Sequence, residues 1–360
     1  MMLIFISTVV ATDRYVSLSG THVSPFTNWV TASTNIQSAV TVALSNANDV
    51  VWVTNGVYYL AGEVTITNYV TLKSVNGPAV TIVDGNYPAY TNRCFRIYTN
   101  VTLSGFTIRN GRTNVNSGGV RSYGSIITNC IICGNIANNG GGVYLTSGAL
   151  YNSIITNNQS LVYAGGVCVD GGGLVESCVI QGNLATNSGM YGGGILLDAY
   201  SMMRNCLIAS NQASCAGGVY IKNGSAIHNC TIVGNRAGSY GGLYTELFSI
   251  IVNTVIYTNN AIGTSYNWRD DGGACFTNCC TMPALTNGAG NITNYPAFVD
   301  MPSGNYRLMS GSSCINAGMN ESWMSGAVDL DGYSRIDRFS GIVDMGCYEY
   351  LPQGTMYSVP

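Results

Sequence analysis

Charge is what this 360-residue chain has least of. Only 9% of its residues are Asp, Glu, Lys or Arg, far below the usual quarter, and the net charge of −3 is thinly spread. That balance offers no basic patch, which argues against nucleic acid as a partner. Histidine is nearly missing. His22 falls in an N-terminal loop, and His228 reads as an exposed strand residue rather than a catalytic base. No Cys-x-x-Cys pair is followed by another at ligand spacing, which speaks against zinc. No apolar run approaches the ~18 residues needed to span a membrane. Beyond one short segment, no stretch keeps helical spacing for ten residues, which excludes leucine-rich, ankyrin and helical-pair repeats.

What remains is repetition. Glycine pairs followed by an apolar residue begin at Gly118, Gly141, Gly165, Gly193, Gly217 and Gly241, which are 23, 24, 28, 24 and 24 residues apart. A second landmark follows in each copy: Asn129-Cys130, Asn152-Ser153, Ser177-Cys178, Asn205-Cys206, Asn229-Cys230 and Asn253-Thr254, each leading into a pair that ends in Ile. A third comes three residues after that pair, at Asn135, Asn158, Asn183, Asn211, Asn235 and Asn259. Landmarks locked to one such period mean a solenoid. The apolar runs are short, alternate with period two, and are bounded by Gly, Asn or Ser. A period of about 24 residues allows three strands and three bends. The expectation is an all-β, right-handed parallel β-helix, a three-sheet solenoid with coils ~4.8 Å apart.

Stacking accounts for the repeated letters. Val143, Val167, Ile195, Val219 and Leu243 form one inward column, and Ile132, Ile155, Ile180, Ile208, Ile232 and Ile256 another. Cys130, Cys178, Cys206 and Cys230 share a third with Ser153 and Thr254, as small core fillers. The asparagines are expected at bends, their amides bonding along the stack, because Asn tolerates left-handed backbone. The glycine pairs are read as supplying positive φ where the chain re-enters the first strand.

In chain order, residues 1–11 read as a signal-peptide remnant ending at Val9-Val10-Ala11, or as an extended N-terminal strand. Residues 12–95 read as cap and first coils, 96–280 as regular coils, 281–350 as a closing segment and 351–360 as a tail. Thr34 to Asn46 is the one helix, with Ile36, Val40 and Leu44 on one face and Ser33 or Thr34 as cap. It would cover the open end of the stack.

Tyr15-Val16-Ser17, Asn35-Ile36-Gln37-Ser38-Ala39-Val40, Asp49-Val50-Val51-Trp52-Val53 and Gly56-Val57-Tyr58 resemble the opening of the pectin-lyase-like right-handed β-helix superfamily. The Gly-Gly-apolar and Ile-x-x-Asn phrases also resemble repeats of polymorphic outer-membrane proteins. Further on come Asn305-Tyr306-Arg307-Leu308, Gly311 to Gly318, Asp329-Leu330-Asp331-Gly332, Arg335 and Val343 to Glu349. This series resembles the choice-of-anchor Q segment that closes many bacterial surface β-helix proteins. The resemblance implies export to the medium or cell surface and fixes architecture rather than activity. Members that cleave polysaccharide use paired or triple Asp, Gly-His-Gly, Arg-Ile-Lys, or calcium-binding carboxylates beside a base, and none of those motifs is present.

One cluster still invites chemistry. Strand alternation puts Thr146, Asp170, Asp198, Lys222 and Glu246 outside the first sheet, beside the outward column Tyr144, Cys168, Leu196, Tyr220 and Tyr244. Asp170 and Asp198 would be neighbours about 5 Å apart, able to share Ca²⁺ or hold one raised pKa. Lys222 would face a sugar acid, and the row of tyrosines would stack on sugar rings. The alternatives are a solvated acid–Lys–acid ladder and a catalytic face of a polysaccharide lyase or glycoside hydrolase. Three function classes stay open: a binder of extracellular polysaccharide or cell-envelope glycan, a divergent enzyme, and a structural or adhesive spacer.

Two further expectations concern the end of the chain. The thirteen cysteines leave at least one free thiol, with bridges expected at Cys314–Cys347 or at one involving Cys279 or Cys280. The outward column of the third sheet, Ile131, Ile154, Val179, Leu207, Thr231 and Val255, is too apolar to face water uncovered. Residues 281–350, or another chain, should fold over part of it. Asp329, Asp331, Arg335, Asp344 and Glu349 should staple the closing loops rather than bind metal.

Overall fold

A computed structural model of the protein describes residues 11–45, 48–187, 189, 191–262, 266–285 and 287–352. The expected signal-peptide remnant lies, but for Ala11, outside the described residues, as do the end of the tail and Asn46. The chain winds into a parallel β-helix of three long sheets with nine, eleven and ten strands. The first face runs from Val64–Ile66 through Val143–Leu145 and Val167–Asp170 to Tyr266–Asp270. The second runs from Asp13–Val16 to Cys275–Thr277, and the third from Gly56–Tyr59 to Cys280–Thr281. The expected aliphatic columns are in register and fully buried.

A fourth sheet of six short strands was not expected; it runs from Ile136–Asn139 to Asn260–Ala261. Its inward column is Ala137, Ser160, Ala185, Ala213, Ala237 and Ala261, residues too small to register as a hydrophobic signal.

The two asparagine columns do different work. Asn129, Asn152, Asn205, Asn229 and Asn253 take φ near +50°, with Ser177 in the same conformation, and turn the chain as expected. The later column is buried and forms an unbroken amide ladder. Each Nδ2 donates to the next Oδ1, from Asn135 to Asn158 (3.0 Å), Asn183 (3.1 Å), Asn211 (3.0 Å), Asn235 (3.0 Å), Asn259 (2.9 Å) and Asn267 (2.7 Å). The same Oδ1 atoms accept main-chain N–H groups, as from Asn183 to Asn211 at 2.9 Å. No polar atom of the ladder is left to desolvate alone.

This ladder corrects the reading of the glycine pairs, none of which has positive φ. Space is the constraint. A Cβ on Gly194 would sit 2.8 Å from Asn211 Nδ2 and 2.8 Å from the Gly218 carbonyl, and one on Gly193 would sit 2.4 Å from the Gly217 carbonyl. The pair lets one coil's backbone lie directly against the amides of the next.

The helix (α1) is Ile36–Ala43, shorter than expected. Its cap is Asn35, whose side chain accepts from Ser38 N at 3.0 Å, rather than Ser33 or Thr34. Ile36, Ala39, Val40 and Ala43 join the core against Asp13–Val16, Val50–Val53 and Val64–Ile66, closing that end. The inward cysteines Cys130, Cys178, Cys206 and Cys230 are buried free thiols that donate to carbonyls, as from Cys206 to Arg204 O at 3.1 Å. Cys314 and Cys347 are also buried and free, and are not joined to each other. Cys314 instead lies within hydrogen-bonding reach of Cys280.

The closing segment does fold over the third face. Phe298, Tyr306, Leu308, Cys314, Met345, Cys347 and Tyr348 pack with Leu207, Ala209, Val233, Val255 and Cys280 in a second core. Each fully buried aliphatic there is worth roughly 1.5–3 kcal/mol. Cover reaches Val179 but not Ile154, which stays 40% exposed. Bend asparagines dock the segment: Asn205 Nδ2 donates to Val328 O (2.9 Å), Asn229 Nδ2 to Asp344 O (3.2 Å), Asn253 Nδ2 to Met319 O (2.8 Å) and Asn278 Nδ2 to Ala317 O (2.9 Å).

His228 is not exposed. It lies 2.8 Å from Glu321, which also accepts from Trp323 Nε1, in contact with the segment. Arg335, fully buried, pairs with Glu349 at 3.0 Å and donates to the carbonyls of Gly346 and Asp344. Asp329 accepts main-chain N–H groups of Asp331, Tyr333 and Glu349, and Asp344 those of Asn316 and Tyr350.

Two measurements check this account. Asn211→Ala strips the acceptor from the buried Asn183 N–H, while Asn183 Nδ2 keeps the carbonyls of Ile155 and Gln181, so urea unfolding should show a loss of roughly 2 kcal/mol, at ~1–3 kcal/mol per orphaned group. Asn152→Ala, at an exposed bend, should lose only about 1 kcal/mol. Burial, with Asp344 and Asp329 adding and Arg335 opposing, pushes the Glu349 carboxyl from its ordinary 4.5 up to about 8. A raised carboxyl favours the folded state most below 4.5, and that contribution is lost as pH rises through about 8. Protection of residues 292–352 from proteolysis should therefore decline over that window, and Glu349→Gln should flatten the decline.

Candidate functional site

The first face carries the cluster picked out from the sequence. Parallel register sets Tyr144, Cys168, Leu196, Tyr220 and Tyr244 in one outward column and pairs Asp170 with Asp198 directly. Lys222 follows on the next coil, its Nζ 3.1 Å from Asp198 Oδ2. Asp198 Oδ1 also accepts Ala199 N at 2.7 Å and Asn223 Nδ2 at 2.5 Å. Asp198 is therefore committed, and its charge is answered. Asp170 is exposed and accepts one bond, from the Tyr144 hydroxyl at 2.8 Å.

The tyrosines are placed differently from the expected sugar-stacking row. Tyr144, Tyr220 and Tyr244 are buried, 8%, 6% and 7% exposed. Tyr191 lies 4.7 Å from Tyr220 and 5.4 Å from Tyr244, Tyr220 stacks on Tyr244 at 5.5 Å, and Tyr240 stacks on Tyr244 at 5.1 Å. The ring faces of Tyr220 and Tyr244 are thus spent on other rings, and that of Tyr144 on the Arg121 guanidinium, 3.9 Å from its centre. Their hydroxyls are spent on carboxylates: Tyr220 donates to Glu246 at 2.8 Å, and Tyr244 lies 2.8 Å from Glu246 and 3.1 Å from Asp271. Burial first pushes all three phenols above their ordinary value, with Cys168 and Asp170 adding at Tyr144, Glu246 at Tyr220, and Glu246 and Asp271 at Tyr244, which removes them as bases.

What remains open is a recess of about 180 Å³ floored by Cys168, Leu196 and Tyr220, rimmed by Asp170, Asp198 and Lys222, and walled by Asn139 and Tyr163. The walls belong to the unexpected fourth sheet. Tyr163, 37% exposed, is the most accessible aromatic ring of its lining. No group of three or more His, Cys, Asp or Glu among the described residues can hold a metal. With Asp198 taken, the Asp170–Asp198 pair offers few of the six to eight oxygens that calcium takes.

Sequence reasoning missed Tyr163, Tyr191 and Asn139. The signal for Tyr191 was the one long coil, 28 residues from Gly165 to Gly193, whose extra length holds it. Tyr163 left none, because nothing in the period says that the bend after Asn158 becomes a strand.

No family model and no curated protein sequence matches the chain. Among solved structures, the pectate lyase Pel9A matches with a TM-score of 0.63 at 13% identity, covering 94% of this chain and 97% of the enzyme. Pectin methylesterase PemA from Erwinia chrysanthemi overlaps more loosely, with a TM-score of 0.36 at 12% identity over 76% of this chain and 79% of its own. Among the described residues, no helix is long and apolar enough to cross a membrane. In fold, the chain is a pectin-lyase-like parallel β-helix.

Proposed function

We propose that the protein is an exported β-helix that holds a polysaccharide or cell-envelope glycan along its first face and does not cleave it. The observation that carries this reading is the recess. An exposed carboxylate, a lysine and an accessible tyrosine converge there on an apolar floor, on an otherwise continuous sheet face. Its ~180 Å³ is below the several hundred Å³ typical of an enclosed ligand site, so it takes part of one sugar while the chain runs on along the coils. The pectate lyase of like fold, named for a polysaccharide, favours that ligand class.

Cleavage asks for more than the face supplies. A glycosidase needs two working carboxyl groups, and a lyase needs a base within reach of a sugar proton. Asp198 is neutralised by Lys222, and Lys222 by Asp198. Asp170 is held by the Tyr144 phenol, and Glu246 by those of Tyr220 and Tyr244.

Affinity electrophoresis and calorimetry against a panel of neutral and acidic oligosaccharides, with Ca²⁺ and with chelator, test this. Asp170→Ala and Tyr163→Ala should each weaken binding about tenfold, the order of one lost charge-assisted bond or ring contact, at unchanged melting temperature. Tyr220→Ala is a poor probe, because it opens the aromatic stack. New reducing ends or unsaturated products would overturn the non-catalytic reading, and absence of binding throughout would leave a spacer.

A further inference from the structure

Toward the N-terminus of the same face, the column that holds Tyr144 continues back through Arg121, Arg96 and Thr65. Two guanidiniums thus occupy neighbouring rungs of a parallel ladder, about 5 Å apart, where like charges repel. Arg93, 7% exposed, adds a third. One acid answers them: Glu63, 3.0 Å from Arg96 Nε and 3.6 Å from Arg93 Nε. Arg121 lies between two phenol rings, its guanidinium carbon 3.9 Å from the centre of Tyr144 and 4.8 Å from that of Tyr123. It donates to Thr146 Oγ1 at 3.2 Å.

Nε and Nη1 of Arg121 are buried without a hydrogen-bond acceptor from the protein, and the Nε atoms of Arg93 and Arg96 have only the shared Glu63 carboxylate, out of line for a well-formed hydrogen bond. Folded chains seldom leave such donors unanswered. Burial pulls the Arg93 guanidinium below its ordinary value; Glu63 opposes this, and Arg96 and Arg121 add to it. On a molecule so poor in charge, three arginines against one glutamate are a local surplus that composition alone concealed.

We propose that Arg93, Arg96 and Arg121 form a receptor for one oxyanion, a carboxylate or a sulfate ester, carried by the glycan that enters the recess. The proposal deepens the glycan-binding reading and rests on it. Guanidinium forks match either group with paired N–H donors. The recess begins on the next coil, at Tyr144, and the carboxylates of its rim, Asp170 and Asp198, start two coils from Arg121, ~10 Å away. A polymer charged on every sugar would meet repulsion there. The fitting ligand is sparsely charged, with an anionic group set apart from uncharged sugars.

Calorimetry with oligosaccharides of equal length separates the cases. The probes are hyaluronan (a carboxylate on alternate sugars), κ-carrageenan (a sulfate ester on alternate sugars), polygalacturonate (a carboxylate on every sugar) and neutral maltooligosaccharide. One or both alternating probes should bind about tenfold tighter than the neutral and fully charged ones, and the preference should shrink with added salt. Which of the two wins identifies the oxyanion. Arg96→Gln and Arg121→Gln should erase the preference, with Arg96→Lys restoring part of it. Both glutamine variants relieve like-charge repulsion, so their melting temperatures should hold. Equal affinity for neutral and alternating probes, or a preference that survives both variants, overturns the receptor and leaves the recess standing. Arginine-dependent binding indifferent to Asp170→Ala and Tyr163→Ala would overturn the recess instead, and no binding of any probe would overturn both.

Discussion

The column of buried amides from Asn135 to Asn267 sets the terms for the rest of the molecule. An amide needs a donor and an acceptor on either side, and a parallel stack at strand spacing gives every rung both. Once the ladder exists, each coil must place an asparagine at the same height, whatever its length elsewhere. The coil from Gly165 to Gly193 has 28 residues and still does so. The glycine pairs follow from the same demand, because the next backbone must pass within van der Waals contact of those amides. Register on the first face, and hence the adjacency of Asp170 with Asp198, is inherited from it.

That dependence explains what the sequence made legible. Period, sheet identity, the inward columns and the left-handed bends all repeat, and repetition survives without knowledge of what surrounds a residue. The glycine pairs were located correctly and explained wrongly, since a bare "no Cβ here" looks the same whether the cause is φ or crowding. Tyr144, Tyr220 and Tyr244 show the limit more sharply. Alternation gives the side of the sheet from which a ring departs. It says nothing of Tyr191, arriving from an insertion to bury two of them. His228 was misjudged for the same reason: its partner Glu321 lies 93 residues away in a segment with no repeat. The cover over the third face was legible because an apolar stripe without a partner is itself a signal.

The first face is electrically graded in a way that net charge hides. Arg93, Arg96 and Arg121 stand at one end, and Asp170, Asp198, Glu246 and Asp271 further along, with Lys222 and Arg269 among them. Each column is built from positions that the core leaves free, so a solenoid can vary them rung by rung at little cost to folding. The chemistry of the surface and the rules of the stack are nearly independent, and a fold shared with a pectate lyase therefore leaves the chemistry of this face its own.

The closing segment reads the rod as a gauge reads a screw. Its docking points at Asn205, Asn229, Asn253 and Asn278 lie one pitch apart, so those four turns must be present in number and order for the segment to engage. Asn129 and Asn152, at the other end, have no such partner among the described residues and face solvent. A whole turn gained or lost before Asn152 leaves these four docking points in step, whereas one gained or lost between Asn205 and Asn278 shifts them against the segment.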